Sequence, residues 1–123
     1  MGDVRSYRDL LVWQKGMDLA EAAYKLAKLM PRTEDYRLTS QLLRAAASIP
    51  ANIAEGNARA TRKDYAHFIS IARGSVAEVD TFLQLAVRAK LVTAEQVSSA
   101  AALADELGRM LNVMRDRLSK NPD

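Results

Sequence analysis

Apolar residues recur every three or four positions along four separate stretches of this 123-residue chain. This spacing is that of one face of an α-helix, so it constrains the chain to fold as amphipathic helices. We predict helices over residues 7–29, 34–58, 62–89 and 94–119, with short turns between them. Short turns favour antiparallel neighbours, so the predicted architecture is an all-α, up-down-up-down four-helix bundle that forms a single domain over residues 1–123.

The first predicted helix begins at Ser6, where Asp9 completes a variant of the capping box. Proline disfavours helical conformation in the residue before it, so Pro31 ends this helix. The apolar seam comprises Leu10, Trp13, Met17, Ala20, Tyr24 and Ala27. Trp13 is predicted to anchor either the core or an interface between subunits.

The second predicted helix has Thr33 as its N-cap, with Glu34 and Asp35 in the first turn, where acidic residues are favourable. Pro50 lies inside the pattern and removes one backbone hydrogen bond, which predicts one kinked helix rather than two helices. The apolar seam comprises Leu38, Leu42, Ala45, Ile49, Ile53 and Gly56.

The third predicted helix starts at Thr61 with Asp64 as its capping partner, and it carries two neighbouring apolar lines. Such a wide face covers either two neighbouring helices or one neighbour and another subunit. A glycine inside a helix costs about 1 kcal/mol, so Gly74 predicts a close approach, for which Ala45–Ala47 are the candidates. The two lines are Tyr65, Phe68, Ala72, Ser75, Val79, Phe82, Ala86 and Ile69, Val76, Leu83.

The fourth predicted helix starts at Thr93, with Gln96 completing a second capping box. Its steps of three and four are those of a strict helical seam. That seam comprises Val97, Ala100, Ala104, Leu107, Leu111, Met114 and Leu118.

Composition excludes several classes of active site. The chain has no cysteine and one histidine, His67, which removes thiolate sites and most metal clusters. Asp64 and His67 form a single D-x-x-H, whereas di-iron bundles need two such motifs and further carboxylates. No phosphate-binding glycine motif or zinc-protease motif occurs. We therefore expect no catalytic activity, metal, cofactor or small-molecule substrate.

No targeting segment or membrane-spanning run of apolar residues is present, so we expect a cytoplasmic protein without membrane partners. The net charge of +3 is unevenly distributed, because residues 37–77 hold six Lys or Arg against two Asp or Glu. This basic excess predicts either contact with the phosphates of RNA or DNA or an ordinary solvated surface. The candidate nucleic-acid-binding residues are Arg44, Arg59, Arg62, Lys63 and Arg73.

Polar residues line the second predicted helix beside its apolar seam, at Gln41, Arg44, Ser48, Asn52, Glu55 and Arg59. Such a line indicates hydrogen bonds between helices or between subunits, with ligand binding as the alternative. Glu78 of the third predicted helix is a further structural or interface candidate of this kind. If Arg44 and Arg73 paired with Glu55 and Glu78, both arginines would be lost from a nucleic-acid surface.

Several motifs resemble the family of bacterial 23S ribosomal RNA intervening-sequence proteins, which is similar in fold to the accessory variability determinant of diversity-generating retroelements. The most specific is the run Ser48-Ile49-Pro50-Ala51-Asn52-Ile53-Ala54-Glu55-Gly56. Others are Trp13-Gln14-Lys15, Leu38-Thr39-Ser40-Gln41, Arg44-Ala45, Arg59, and Ala72-Arg73-Gly74-Ser75 with Glu78. One departure is Gly16, where the family usually has alanine.

The resemblance implies a cytosolic, non-enzymatic homopentamer, a ring of four-helix bundles. Some relatives are encoded within insertions in ribosomal RNA genes, and the retroelement relatives work with a reverse transcriptase and nucleic acid. A ring would also explain the wide face of the third helix and would multiply a modest basic patch. We therefore expect an oligomeric module that binds nucleic acid or a ribonucleoprotein, with a protein-binding scaffold lacking nucleic-acid affinity as the alternative.

Overall fold

The computed structural model describes residues 6–120, which fold into four α-helices without a strand. We number them α1 (Leu11–Ala27), α2 (Leu38–Asn57), α3 (Arg62–Arg88) and α4 (Ala94–Lys120). Short 3-10 helices at Tyr7–Asp9 and Arg32–Glu34 precede α1 and α2. The predicted all-α fold of four helices is confirmed.

The four helices close around one core. Helix α1 contacts α2 and α4, and α3 contacts the same two helices. The fully buried large side chains are Leu19, Leu42, Ile49, Ile53, Ile69, Val79, Leu83, Leu107 and Leu111. This arrangement is consistent with a four-helix bundle, while the antiparallel direction of the neighbours stays a prediction.

The predicted starts of α3 and α4 are confirmed by their caps. Thr61 Oγ1 accepts a hydrogen bond from the Asp64 backbone N–H at 3.1 Å. At α4, the Gln96 N–H donates to Thr93 Oγ1 at 3.1 Å, and the Thr93 N–H donates to Gln96 Oε1 at 2.9 Å. Each cap satisfies backbone donors that the first helical turn leaves without partners.

The predicted starts of the first two helices are wrong. Ser6 and Asp9 do form a capping box, but it caps the 3-10 turn, and extended backbone at Leu10 separates that turn from α1. Thr33 lies inside the second 3-10 helix rather than at an N-cap. The backbone at Arg37 (φ −119°, ψ −113°) interrupts helical geometry, so α2 begins only at Leu38.

The predicted seams of α2 and α4 are buried, apart from a half-buried Met114. Helix α2 continues through Pro50 as one helix, as predicted, and a kink there stays a prediction. Both predicted lines of α3 contribute to the core, because α3 packs against α2 on one side and α4 on the other. The width of this face is therefore explained within one chain and gives no support to an oligomer.

The predicted seam of α1 is wrong. The residues that α1 buries are Val12, Gly16, Leu19, Ala23 and Leu26, also in steps of four and three. Gly16 lets α2 approach closely, because a Cβ atom there would lie 3.3 Å from Ile49 Cγ2. The helix therefore packs its smaller residues inward and leaves Met17 and Tyr24 exposed.

The prediction for Gly74 is also wrong, because this glycine is exposed and a Cβ atom there would meet nothing within 4 Å. The close approach between α2 and α3 occurs at Gly56 instead. A Cβ atom at Gly56 would lie 2.9 Å from Phe68 Cβ and 3.0 Å from Tyr65 Cδ1. Gly56 thus sets how closely the two helices meet near their connecting turn.

Candidate nucleic-acid interface and apolar surfaces

The turn between α2 and α3 lies against the end of α4. Arg62 donates a hydrogen bond from Nη2 to the backbone oxygen of Arg117 at 3.1 Å. Arg59 and Lys63 are exposed in the same turn, and Arg117 and Lys120 are exposed in the final turn of α4. Arg62 is exposed as well. We call these five residues the basic end: Arg59, Arg62, Lys63, Arg117 and Lys120.

Arg59 is held in the basic end by two contacts. Its Nη1 atom lies 3.7 Å from Glu55 Oε2, and its guanidinium lies over the Phe68 ring at 4.9 Å from the centroid. The ion pair is about half exposed, so it contributes less than about 1 kcal/mol to stability and leaves the cation accessible to a ligand.

Arg44 and Arg73 are exposed but lie several helical turns from the basic end. Arg44 lines a groove of about 290 Å³ between α2 and α3, whereas Arg73 lines a groove of about 470 Å³ between α3 and α4. Arg73 Nη1 donates to Asn112 Oδ1 at 3.2 Å. The five predicted cations therefore do not form one cluster: three meet at the basic end, and two lie on either side of α3.

The polar line of α2 faces α3. Gln41, Ser48 and Asn52 line the α2–α3 groove together with Glu78 of α3, while Glu55 contacts Arg59. The hydroxyls of Ser48 and Ser75 form a hydrogen bond of 2.6 Å between the two helices. Asn52 Nδ2 donates to the backbone oxygen of Ser48 at 2.7 Å. Neither Glu55 nor Glu78 pairs with Arg44 or Arg73 among residues 6–120.

The half-buried phenol of Tyr65 joins the same two helices nearer the basic end. Asn57 Nδ2 donates a hydrogen bond to Tyr65 Oη at 3.3 Å. Burial raises the pKa of the Tyr65 phenol, and the hydrogen bond from Asn57 partly opposes that rise. Because its ring is half-buried, Tyr65 holds α2 against α3 rather than presenting a flat surface to solvent.

The α1 seam that was expected in the core lies on its edge, on the flank next to α2. Leu10, Trp13 and Ala20 are half-buried and pack against the core, so the prediction of Trp13 as a core anchor is supported. Met17 is 45% exposed and Tyr24 54% exposed, while Trp13 is half-buried with its ring edge-to-face on Tyr7 at 5.3 Å. Lys15, on the opposite flank of α1, pairs with Glu106 of α4 at 2.9 Å, which places this seam on the side of α2.

Helix α2 continues this apolar surface. One helical line of α2 runs through Leu43, Ala47, Pro50 and Ala54. The backbone nitrogen of Pro50 would lie 3.6 Å from a Cβ atom added to Gly16, so this line borders α1. Ala47 and Ala51 are exposed, and Leu43 and Ala54 are half-buried. We call the combined set the α1–α2 face; it comprises Trp13, Met17, Ala20, Tyr24, Leu43, Ala47, Ala51 and Ala54, and none of them is charged.

The sequence alone did not identify Arg117 and Lys120 as candidates. The last third of the chain is slightly acidic in total, which hid the two cations that end α4. Cations at a helix C-terminus are also favoured by the helix dipole, so their position has an independent structural reason. These two cations become candidates only because α4 ends beside the α2–α3 turn.

Residues 6–120 hold neither a metal-binding cluster nor a membrane-spanning helix. No group of three or more His, Cys, Asp or Glu side chains lies close enough together to hold a metal ion. No helix in the same range is both long and apolar enough to span a bilayer.

Comparison with known proteins gives a consistent result. The sequence profile of the 23S rRNA-intervening sequence proteins matches residues 8–113. A crystal structure of a protein with unknown function from the S23 ribosomal protein family of Bacteroides thetaiotaomicron VPI-5482 has a similar fold, with a TM-score of 0.80 and 26% sequence identity. That alignment covers 85% of this chain and 98% of the other chain. No curated protein matches the sequence significantly. The chain therefore belongs to the family of 23S rRNA-intervening sequence proteins.

Proposed function

We propose that this protein is a non-enzymatic, homo-oligomeric helical module that binds nucleic acid, alone or in a ribonucleoprotein, through its basic end. The observation that carries this proposal is the contact between Arg62 and the Arg117 backbone, which brings cations from two distant parts of the chain onto one exposed surface.

The chemistry of the basic end favours phosphates over bases. Guanidinium and ammonium groups bind phosphate oxygens and release counterions, which gives affinity without sequence readout. Stacking on bases needs exposed aromatic rings. The aromatic rings nearest the basic end, Tyr65 and Phe68, are half-buried, and Arg59 lies over Phe68. The expected ligand is therefore the backbone of a folded RNA or a duplex rather than unstacked single strands.

The α1–α2 face supports self-association, and we assign it to a second copy of this chain. Its exposed part, Met17 and Tyr24 of α1 beside Ala47 and Ala51 of α2, lies outside the core, and exposed apolar residues that lie together mark interaction sites. The residues of this face are uncharged, so burying them against an apolar surface, such as that of another copy, is favourable. A hydrophilic ligand would not bury them. The family resemblance implies a pentamer, and we propose that this face contributes one side of each contact.

A salt titration of RNA and DNA binding tests the basic end. The variant Arg59→Ala/Arg62→Ala/Lys63→Ala removes three cations, and each phosphate contact adds about 0.9 to the slope of log affinity against log salt. We expect the slope to fall by about 2 to 3 in the variant. Arg88→Ala/Lys90→Ala, in the turn between α3 and α4, is the matched control and should leave the slope unchanged.

Two results would contradict nucleic-acid binding: no binding of wild type at low salt, or the same salt slope in wild type and in the triple variant. An oligomer that binds no nucleic acid under these conditions would instead support the alternative, a protein-binding scaffold.

A further inference from the structure

A second apolar surface lies on the other flank of α1, away from the α1–α2 face. It is a groove of about 520 Å³ between the start of α1 and the second half of α4. Leu11 on one wall is 57% exposed, and Val113 on the other is 49% exposed. Met110 and Met114 line the groove between them, and we call it the α1–α4 groove.

Positive charge borders this groove and negative charge does not line it. Arg109 and Arg117 are its charged lining residues among the residues described. Arg109 is ion-paired with Asp105, which lines the neighbouring groove between α3 and α4. Arg117 is exposed, and its backbone oxygen accepts the bond from Arg62.

We propose that the α1–α4 groove binds an acidic amphipathic helix of a protein partner. A helix presents a narrow apolar stripe with charges on its borders, which matches an apolar groove bordered by arginines. Arg109 and Arg117 are separated by about 12 Å along α4, so the partner's carboxylates lie about two helical turns apart. Methionine side chains are flexible and polarisable, which suits them to lining a groove that receives a partner side chain.

The charge of the groove favours an acidic helix over a nucleic acid. A nucleic-acid backbone needs several neighbouring cations, whereas this groove has one arginine near each end, of which Arg109 is paired with Asp105, and an apolar wall between them. A second copy of the chain is distinguished from a partner helix by the mass of the assembly. Arg117 also belongs to the basic end, so Val113, which does not, tests the groove separately from nucleic-acid binding.

The test is binding of a fluorescein-labelled helical peptide of about 16 residues, with leucines at i, i+3, i+4 and i+7 and glutamates beside them. A matched peptide carries lysines in place of the glutamates. Fluorescence anisotropy measures both peptides against wild type, Val113→Asp and Arg117→Glu. Leu85→Asp, at an exposed leucine of α3, is the control for an added charge.

We expect wild type to bind the glutamate peptide at least about tenfold more tightly than the lysine peptide, a difference of about 1.4 kcal/mol. Val113→Asp should lose at least tenfold in affinity and Leu85→Asp should lose nothing. Arg117→Glu should weaken the glutamate peptide and strengthen the lysine peptide, which distinguishes a charge contact from unfolding.

Equal binding of the two peptides, no binding by wild type, or equal losses in Val113→Asp and Leu85→Asp would overturn the proposal. Light scattering tests the remaining candidate occupant, a second copy of this chain. If Val113→Asp lowers the mass of the assembly, the groove is occupied by a second copy and the proposed partner helix is wrong.

Discussion

Helices α4 and α1 carry equally regular apolar seams, but only α4 uses its seam as predicted. In α4, the residues in steps of three and four face the core, and Leu107 and Leu111 are fully buried. In α1, the seam through Met17 and Tyr24 faces outward, and a second line through Leu19 is buried instead.

The difference shows that a helical repeat identifies an apolar face but not the surface that covers it. Helix α1 has two apolar lines, and the one with larger side chains looks like the core from its sequence. Packing selects the other, because Gly16 is small enough to let α1 approach α2 closely, and Ala23 is buried on the same line. The larger residues then remain available for a partner.

The greatest loss should follow from charges placed on the exposed residues of the α1 seam. Burying a Met or Tyr side chain contributes about 1.5–3 kcal/mol, so Met17→Asp/Tyr24→Asp should weaken self-association by at least about a hundredfold. Light scattering across micromolar concentrations measures the shift towards monomer. Ile71→Asp/Leu85→Asp, at exposed apolar residues of α3, is the matched control and should leave the mass unchanged. A wild type that is monomeric throughout this range would show that the seam has no second copy as its partner.

The buried line of α1 should matter for folding rather than for assembly. Leu19 is fully buried, so Leu19→Ala should lower the free energy of unfolding by about 2–5 kcal/mol. Met17→Ala, two residues away on the exposed seam, should cost less than about 1 kcal/mol when the chain is monomeric. Urea denaturation at low protein concentration compares the two. Equal losses would mean that both lines of α1 belong to the core.

The smallest effect concerns two glycines that lie inside helices, Gly74 and Gly56. Alanine is favoured over glycine in a helix, so Gly74→Ala should stabilise the protein by up to about 1 kcal/mol. Gly56→Ala should destabilise it by about 1–3 kcal/mol, because its Cβ would overlap with Phe68 and Tyr65. Thermal unfolding gives the sign of each change. If Gly56→Ala instead stabilises the protein, α3 can move away from α2 without a loss in the free energy of unfolding.

Much of the fold could be predicted from local patterns. The caps at Thr61 and Thr93 and the seams of α2 and α4 depend on residues close in sequence, and the structure confirms them. The start of α1 was wrong because Ser6 caps a 3-10 turn instead of an α-helix. The start of α2 was wrong because Thr33 caps nothing and the backbone at Arg37 interrupts the helix. Three residues of the basic end, Arg59, Arg62 and Lys63, were predicted from the sequence. Arg117 and Lys120 were not, because only the tertiary fold brings them beside Arg62.

Patterns within a few residues specify the number of helices, most of their limits and the family, through periodicity, capping and the Ser48–Gly56 run. Three features depend instead on the packed molecule: which line of α1 is buried, where Arg44 and Arg73 lie, and which cations meet at the basic end. They depend on how closely the helices approach one another, and side chains from distant parts of the chain set that distance.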